Sequence, residues 1–163
     1  MRRKKFVRYK LDETVKKADL IKRIFKADAP NQKWYTDVST ITDGESNLYV
    51  SAIIDGLNNE VISSIIGPSL NLELAFETVN RAIKNRNIDG VILHSDQGVL
   101  YTSPRFQAFV KEKNITQSMS QVGVCYDNVL IESFFSHLKT EGFYSQDFNE
   151  TNEQIIEIVE EYI

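Results

Sequence analysis

Apolar and polar positions change period several times along the 163 residues, and each change marks a predicted element. Trp34 to Thr42 is rich in aromatic and β-branched residues, Asp43-Gly44-Glu45-Ser46 reads as a turn, and Leu48 to Ile54 resumes the pattern, which predicts an antiparallel hairpin. A third strand, Val61 to Ile66, follows the polar Asn58-Asn59. From Asn71 to Arg86 the period becomes helical, because Leu72, Phe76, Val79 and Ile83 fall on one face. Gly90-Val91-Ile92-Leu93 is a short apolar run with His94-Ser95-Asp96 at its carboxyl end, as expected of a strand buried on both faces. Ser103-Pro104 opens a helix, the hydroxyl as N-cap and proline at the first helical position, with Phe106, Phe109 and Val110 as its buried side. Ile115 to Met119 reads as a fifth strand and Ser120 to Tyr126 as a glycine-bearing loop. Asp127-Asn128 starts a helix running to about Phe143, and an acidic helix fills roughly Glu150 to the end. Ahead of all these, Val15, Leu20, Ile21, Ile24 and Phe25 predict a short helix over residues 14 to 26, broken by Pro30-Asn31.

The order is three strands, helix, strand, helix, strand, helix, helix. Two hairpin-type connections followed by two crossovers describe an α/β fold: a mixed five-stranded sheet with helices on both faces, the ribonuclease-H-like architecture. With 42% apolar side chains, the length fits one core over residues 31 to 163, preceded by a basic arm with a short helix over residues 1 to 30. In such sheets function gathers at strand ends where neighbouring crossovers diverge.

Charge changes the picture. Residues 1 to 33 carry 12 Lys and Arg against 4 Asp and Glu, whereas residues 34 to 163 carry 7 against 19. An acidic body binds nucleic acid poorly unaided, since affinity for phosphates comes mainly from Lys and Arg displacing counterions. Bound divalent cations would offset some of that charge, and the arm, with Arg2, Arg3, Lys4 and Lys5, is a candidate DNA contact. No apolar run approaches the roughly 20 residues of a membrane span, and the basic start leads into Phe6-Val7-Arg8-Tyr9-Lys10 rather than an apolar signal core. A soluble, cytoplasmic protein with no membrane partner is expected. The lone Cys125 excludes an internal disulfide and reads as a small buried or loop residue.

Three carboxylates on three separate predicted elements carry the chemistry: Asp37 in the first strand, Asp96 at the end of the fourth, and Glu132 in the helix after the loop. Such a cluster repels itself unless it holds cations. Oxygen ligands with open coordination positions suit Mg²⁺ engaged with a phosphate, so metal-dependent chemistry on phosphodiesters is the first reading. Asp127 competes with Glu132 as the third acid, but Asp127 or Asn128 is better placed to cap the helix. His94 reads mainly as a strand-end hydrogen-bonding residue, Asp55 as fold support and His137 as surface.

These words resemble the catalytic core, the integrase-like DDE domain, of insertion-sequence transposases similar to retroviral integrase. The resemblance covers about residues 20 to 163 and rests on Trp34-Tyr35-Thr36-Asp37, Ile53-Ile54-Asp55, His94-Ser95-Asp96-Gln97-Gly98 with Tyr101-Thr102-Ser103, Ser118-Met119-Ser120, and Asp127-Asn128 with Glu132-Ser133-Phe134-Phe135 and Leu138-Lys139-Thr140-Glu141. It implies that Asp37, Asp96 and Glu132 bind two Mg²⁺ ions, with Mn²⁺ as a substitute, and that the domain cleaves DNA 3′ ends and joins them to target DNA. It also implies DNA as partner, both element ends and target, a homo-oligomer when active, and association with the nucleoid when bound. Lys139, on the helical face of Glu132, is a candidate phosphate contact, and Tyr101 and the 120–126 loop are candidates for contacting DNA ends. Such transposases usually carry an upstream helix-turn-helix region and continue past a segment like Glu161-Tyr162-Ile163, so a C-terminally truncated core is expected. The rival readings are a truncated, inactive remnant acting only through protein interaction, and a ribonuclease-H-like nuclease.

Overall fold

The computed structural model describes residues 16–42, 46–121, 128–143 and 152–163. Its strands are β1 (Lys33–Thr42), β2 (Asn47–Asp55), β3 (Val61–Gly67), β4 (Ile92–Ser95) and β5 (Thr116–Met119). They form one sheet in the order β3-β2-β1-β4-β5. β1 pairs antiparallel with β2 and parallel with β4, and β4 is parallel to β5, so the sheet is mixed as the connection lengths require.

Helices α1 (Leu72–Asn85), α2 (Val99–Thr102) and α3 (Pro104–Glu112) belong to one face, and α4 (Val129–His137) and α5 (Asn152–Tyr162) to the other. The period-two alternation of β1 divides its side chains between two cores. Trp34 shares one core with Val79, Ala82, Leu93 and Phe106, whereas Tyr35 shares the other with Ile54, Ile131, Phe135 and Val159.

Details depart from the sequence pattern. The buried side of α1 is Leu74, Ala75, Thr78, Val79 and Ala82, rotated from the predicted stripe, of which Leu72, Phe76 and Ile83 are only partly buried. Thr78 is tolerated there because its hydroxyl bonds to Ser51 Oγ and to the Leu74 carbonyl, 2.8 and 2.7 Å away. Asn71 caps α1 by accepting from the Leu74 amide, and Pro104 stands at the start of α3, but the Ser103 hydroxyl makes no cap bond. The short α2 was not predicted. The helix begun at Asn128 continues beyond His137 as a π-helical turn over Leu138–Phe143.

The predicted helix over residues 14 to 26 is absent across the described residues 16 to 26. Two successive residues, Lys22 and Arg23, have φ of 50° and 65°, left-handed values that end any right-handed helix. The backbone here bonds to the sheet instead: Ala18 accepts from the Met119 amide, Phe25 from the Tyr35 hydroxyl, and Ala27 donates to Gly56. Residues 17 to 27 are thus a strap laid on the core.

Candidate active site

β1 and β4 flank the point where the chain order diverges, and their ladder ends two residues before each of two acids. Tyr35 is opposite His94. Asp37 and Asp96 each follow that pair by two residues, at the end of the β1–β4 ladder, and the charge of Asp96 acts on Asp37. Tyr35 and His94 lie on the sheet face covered by α4, their rings 5.7 Å apart edge to face, and the alternation puts Asp37 on that same face. Across the other side of β1, Asp37 is opposite Ala52.

The third acid comes from α4. Ile131, Phe135 and Leu138 dock on the sheet, which holds the helix over β1, while Glu132 is exposed on its flank. Asn128, at the N-cap, is 4% exposed and makes no side-chain cap bond, so the anticipated capping by this residue is not made. Asp127 and the loop residues 122–126, including Cys125, lie outside the described residues, as do Arg2, Arg3, Lys4 and Lys5.

Electrostatics register the clustering. Asp37 is pushed up from 3.8 to about 6, first by burial and then by the charges of Asp96 and Glu132, against the Val38 amide and Lys139, which pull it down. Its Oδ1 accepts from the Val38 amide at 2.8 Å. Lys139 is therefore close enough to act on the site from the π-helical turn, half-buried there. The three carboxylates share a neighbourhood, yet among the described residues no three acidic, histidine or cysteine side chains stand together as a ready metal cage.

Asp96 is exposed and is held by its own turn: Oδ1 accepts from the Gly98 amide at 2.8 Å. A Cβ on Gly98 would stand 2.8 Å from that oxygen, so a side chain here pushes the Asp96 carboxylate aside, although the φ of −62° is open to any residue. The turn is tied to β5, as Gln97 Nε2 donates to the Ser120 carbonyl at 3.0 Å and the Ser120 amide to the Ser95 carbonyl at 2.9 Å. The sequence signal for this device was the Asp-Gln-Gly word, whose steric content the chain alone does not display.

Tyr101, read from sequence as a DNA contact, is 4% exposed. It packs edge to face on Phe106 at 5.4 Å, and burial followed by the charge of Asp37 raises its hydroxyl pKa. The ring belongs to the floor beneath the acids and is closed off from a ligand above them. His94 is fully buried and shares a 2.8 Å hydrogen bond with Ser118. Asp55 is buried and accepts from the Asn31 and Leu57 amides, both at 2.9 Å, and His137 is exposed.

The integrase core domain model matches residues 27–125. A protein named as a transposase, InsK, of insertion sequence element IS150 in Escherichia coli strain K12 is 38% identical over 146 residues, covering 89% of this chain and 51% of that protein. A transposase-like protein of Haemophilus influenzae Rd is 41% identical, covering 89% and 67%. The chain thus spans about half to two thirds of these relatives. The fold matches the integrase catalytic core domain of HTLV-2 in complex with magnesium (trimeric form), with TM-score 0.66 and 16% identity over 83% of this chain and 84% of that one. It also matches a chain of the simian T-cell lymphotropic virus intasome, in complex with the PP2A regulatory subunit B56 gamma, with TM-score 0.71 and 17% identity over 91% and 52%. No helix among the described residues is long and apolar enough to cross a membrane.

Proposed function

The chain belongs to the integrase core domain family, and from that premise we propose that Asp37, Asp96 and Glu132 form the metal-binding, catalytic triad of a DNA-cutting and DNA-joining domain. The observation that supports this reading is the half-buried Asp37, two residues beyond the Tyr35–His94 pair as Asp96 is, and raised to about 6 in part by the charges of both other acids. Three carboxylate oxygen donors, two of which oppose the ionisation of Asp37, with Lys139 as the cation acting on Asp37, fit divalent Mg²⁺ or Mn²⁺. When bound, two such ions supply Lewis acidity that activates water or a 3′-hydroxyl as nucleophile and stabilises the leaving oxygen.

The chain's own residues have separable tasks. Asp37 must be deprotonated to ligate, so its metal-binding form is favoured above about pH 6. Asp96 is presented by the Gly98 turn, and Glu132 completes the set by approach of α4, whose flank it occupies. Lys139 offsets the negative charge beside Asp37 and is positioned to hold a DNA phosphate, with Arg2, Arg3, Lys4 and Lys5 as further phosphate contacts. Element ends and target DNA are the substrates, the active form is a homo-oligomer, and the setting is the bacterial cytoplasm.

Strand transfer and disintegration on branched DNA with Mg²⁺ or Mn²⁺ test the reading, comparing wild type with Glu132→Gln and Asp127→Asn. Wild-type activity lost in Glu132→Gln and kept in Asp127→Asn is the expected result. Activity that survives Glu132→Gln and disappears with Asp127→Asn would move the third ligand to Asp127, and a folded wild type inactive throughout would favour the remnant.

A further inference from the structure

The strap of residues 17 to 27 was expected to include a short helix, yet its backbone is held by side chains of β1, which carries Asp37, and of β5, the neighbour of β4. On β5, Ser118 Oγ accepts from the Leu20 amide at 2.8 Å and shares its other hydrogen bond with His94 Nδ1 on β4, two residues before Asp96. On β1, the Tyr35 hydroxyl donates to the Phe25 carbonyl at 2.7 Å, two residues before Asp37. Lys33 Nζ donates to the Ile24 carbonyl at 2.6 Å and the Lys26 carbonyl at 3.3 Å. Tyr35 and His94 pack edge to face, so Ser118, His94 and Tyr35 form a continuous buried row across β5, β4 and β1 that is bonded to the strap at both ends.

The seat is tight. Ile21 is 2% exposed in the core beneath α4. A Cβ on Gly56 would lie 2.9 Å from the Tyr35 ring, 3.0 Å from the Lys33 carbonyl oxygen and 3.1 Å from the Phe25 carbonyl oxygen, two of them backbone atoms that cannot swing away. The turn before the seat is fixed by Asp19, whose Oδ1 accepts from the Ile21 and Lys22 amides at 2.9 and 3.0 Å, and it maintains two left-handed residues, Lys22 and Arg23. Backbone in that region is unfavourable for side-chain-bearing residues and persists where surrounding contacts determine it.

We infer that the strap is a positioning element of the active site, with Ser118 and Tyr35 as positioning residues. Its hydrogen bonds lock the β4 and β1 ends on which Asp96 and Asp37 stand. The inference rests on the proposed triad, because the strap fixes those same carboxylates. A group that orients metal ligands acts on metal affinity at a distance, by holding the ligands in place before the ion arrives.

The test compares Ser118→Ala and Tyr35→Phe, each removing one strap bond without adding bulk, with Ser63→Ala, which removes a buried 2.8 Å bond to the Thr78 carbonyl on the opposite face of the sheet. Mn²⁺ binding is read by calorimetry, and amide exchange of Gly98, whose N–H is held by Asp96, is read in metal-free protein. The strap variants should weaken Mn²⁺ binding at least fivefold and speed Gly98 exchange, while Ser63→Ala, at matched loss of thermal stability, leaves both within twofold. Strap variants that match wild type in both readouts, or a Ser63→Ala protein that shifts equally, would overturn the inference. A wild type whose Mn²⁺ binding does not depend on Asp37 would instead refute the proposed triad, with Gly98 exchange still deciding whether the strap holds the Asp96 turn.

Discussion

Replacing Asp37 by Asn should abolish metal-dependent activity and yet stabilise the metal-free protein. Asp37 titrates near 6 in the fold against 3.8 ordinarily, because burial and the charges of Asp96 and Glu132 oppose its ionisation. Since the folded-state value is raised, the native protein keeps a proton between these two values that the unfolded chain has released. Stability therefore falls as pH rises through the window from about 4 to 6, and the full cost is present above it. The difference between 3.8 and about 6, at about 1.4 kcal/mol per pH unit, gives a cost of about 3 kcal/mol at pH 7.5 and only about 1 kcal/mol at pH 4.5.

Asn removes that cost while its side-chain oxygen can still accept from the Val38 amide. In EDTA at pH 7.5 the variant should melt about 6–12 °C above wild type, from roughly 2–4 °C per kcal/mol for a chain of this size. Thermal or urea unfolding from pH 4.5 to 7.5 should show the gap opening as wild type weakens. Added Mg²⁺ should then raise wild type and leave Asn nearly unmoved, closing the gap. The reasoning fails if Asp37→Asn is no more stable than wild type in EDTA at pH 7.5, or if the gap is the same at both ends of the pH range.

Gly98→Ala should cut strand transfer at least tenfold with a stability change within about 1 kcal/mol, because the added Cβ pushes on the Asp96 carboxylate and strains no backbone; kinetics and melting on one preparation separate the two effects. Thr78→Val leaves the buried Ser51 hydroxyl without its 2.8 Å partner and should cost about 1–3 kcal/mol in urea unfolding, with Mn²⁺ affinity unchanged. Lys139→Gln should weaken DNA binding about equally for all sequences and lower the magnitude of the log–log salt slope by about 1, measured by fluorescence anisotropy. The Arg86–Glu60 pair, 2.6 Å apart with the glutamate half exposed, should show a coupling below about 1 kcal/mol in a double-mutant cycle.

Much of the molecule was legible in the order of its residues. Strand and helix periods gave the mixed sheet with two helical faces, because alternation and amphipathic stripes are local consequences of burial, and the acids at Asp37, Asp96 and Glu132 stood out by residue type, spacing and neighbouring words. What the sequence could not decide was which of two local preferences the rest of the fold would overrule. Residues 16 to 26 have apolar spacing for a helix, but Ser118, Tyr35 and Lys33 offer their backbone better partners than the next turn would, so they lie as a strap. Tyr101 was a candidate for contacting DNA ends and proved to be buried, because α2 turns it against Phe106. Only the tertiary structure brought the charge of Asp96 to bear on Asp37, set Gly98 against the Asp96 carboxylate and left Glu132 exposed on its helix. Each depends on contacts between segments far apart in the chain, whose distances no local pattern records.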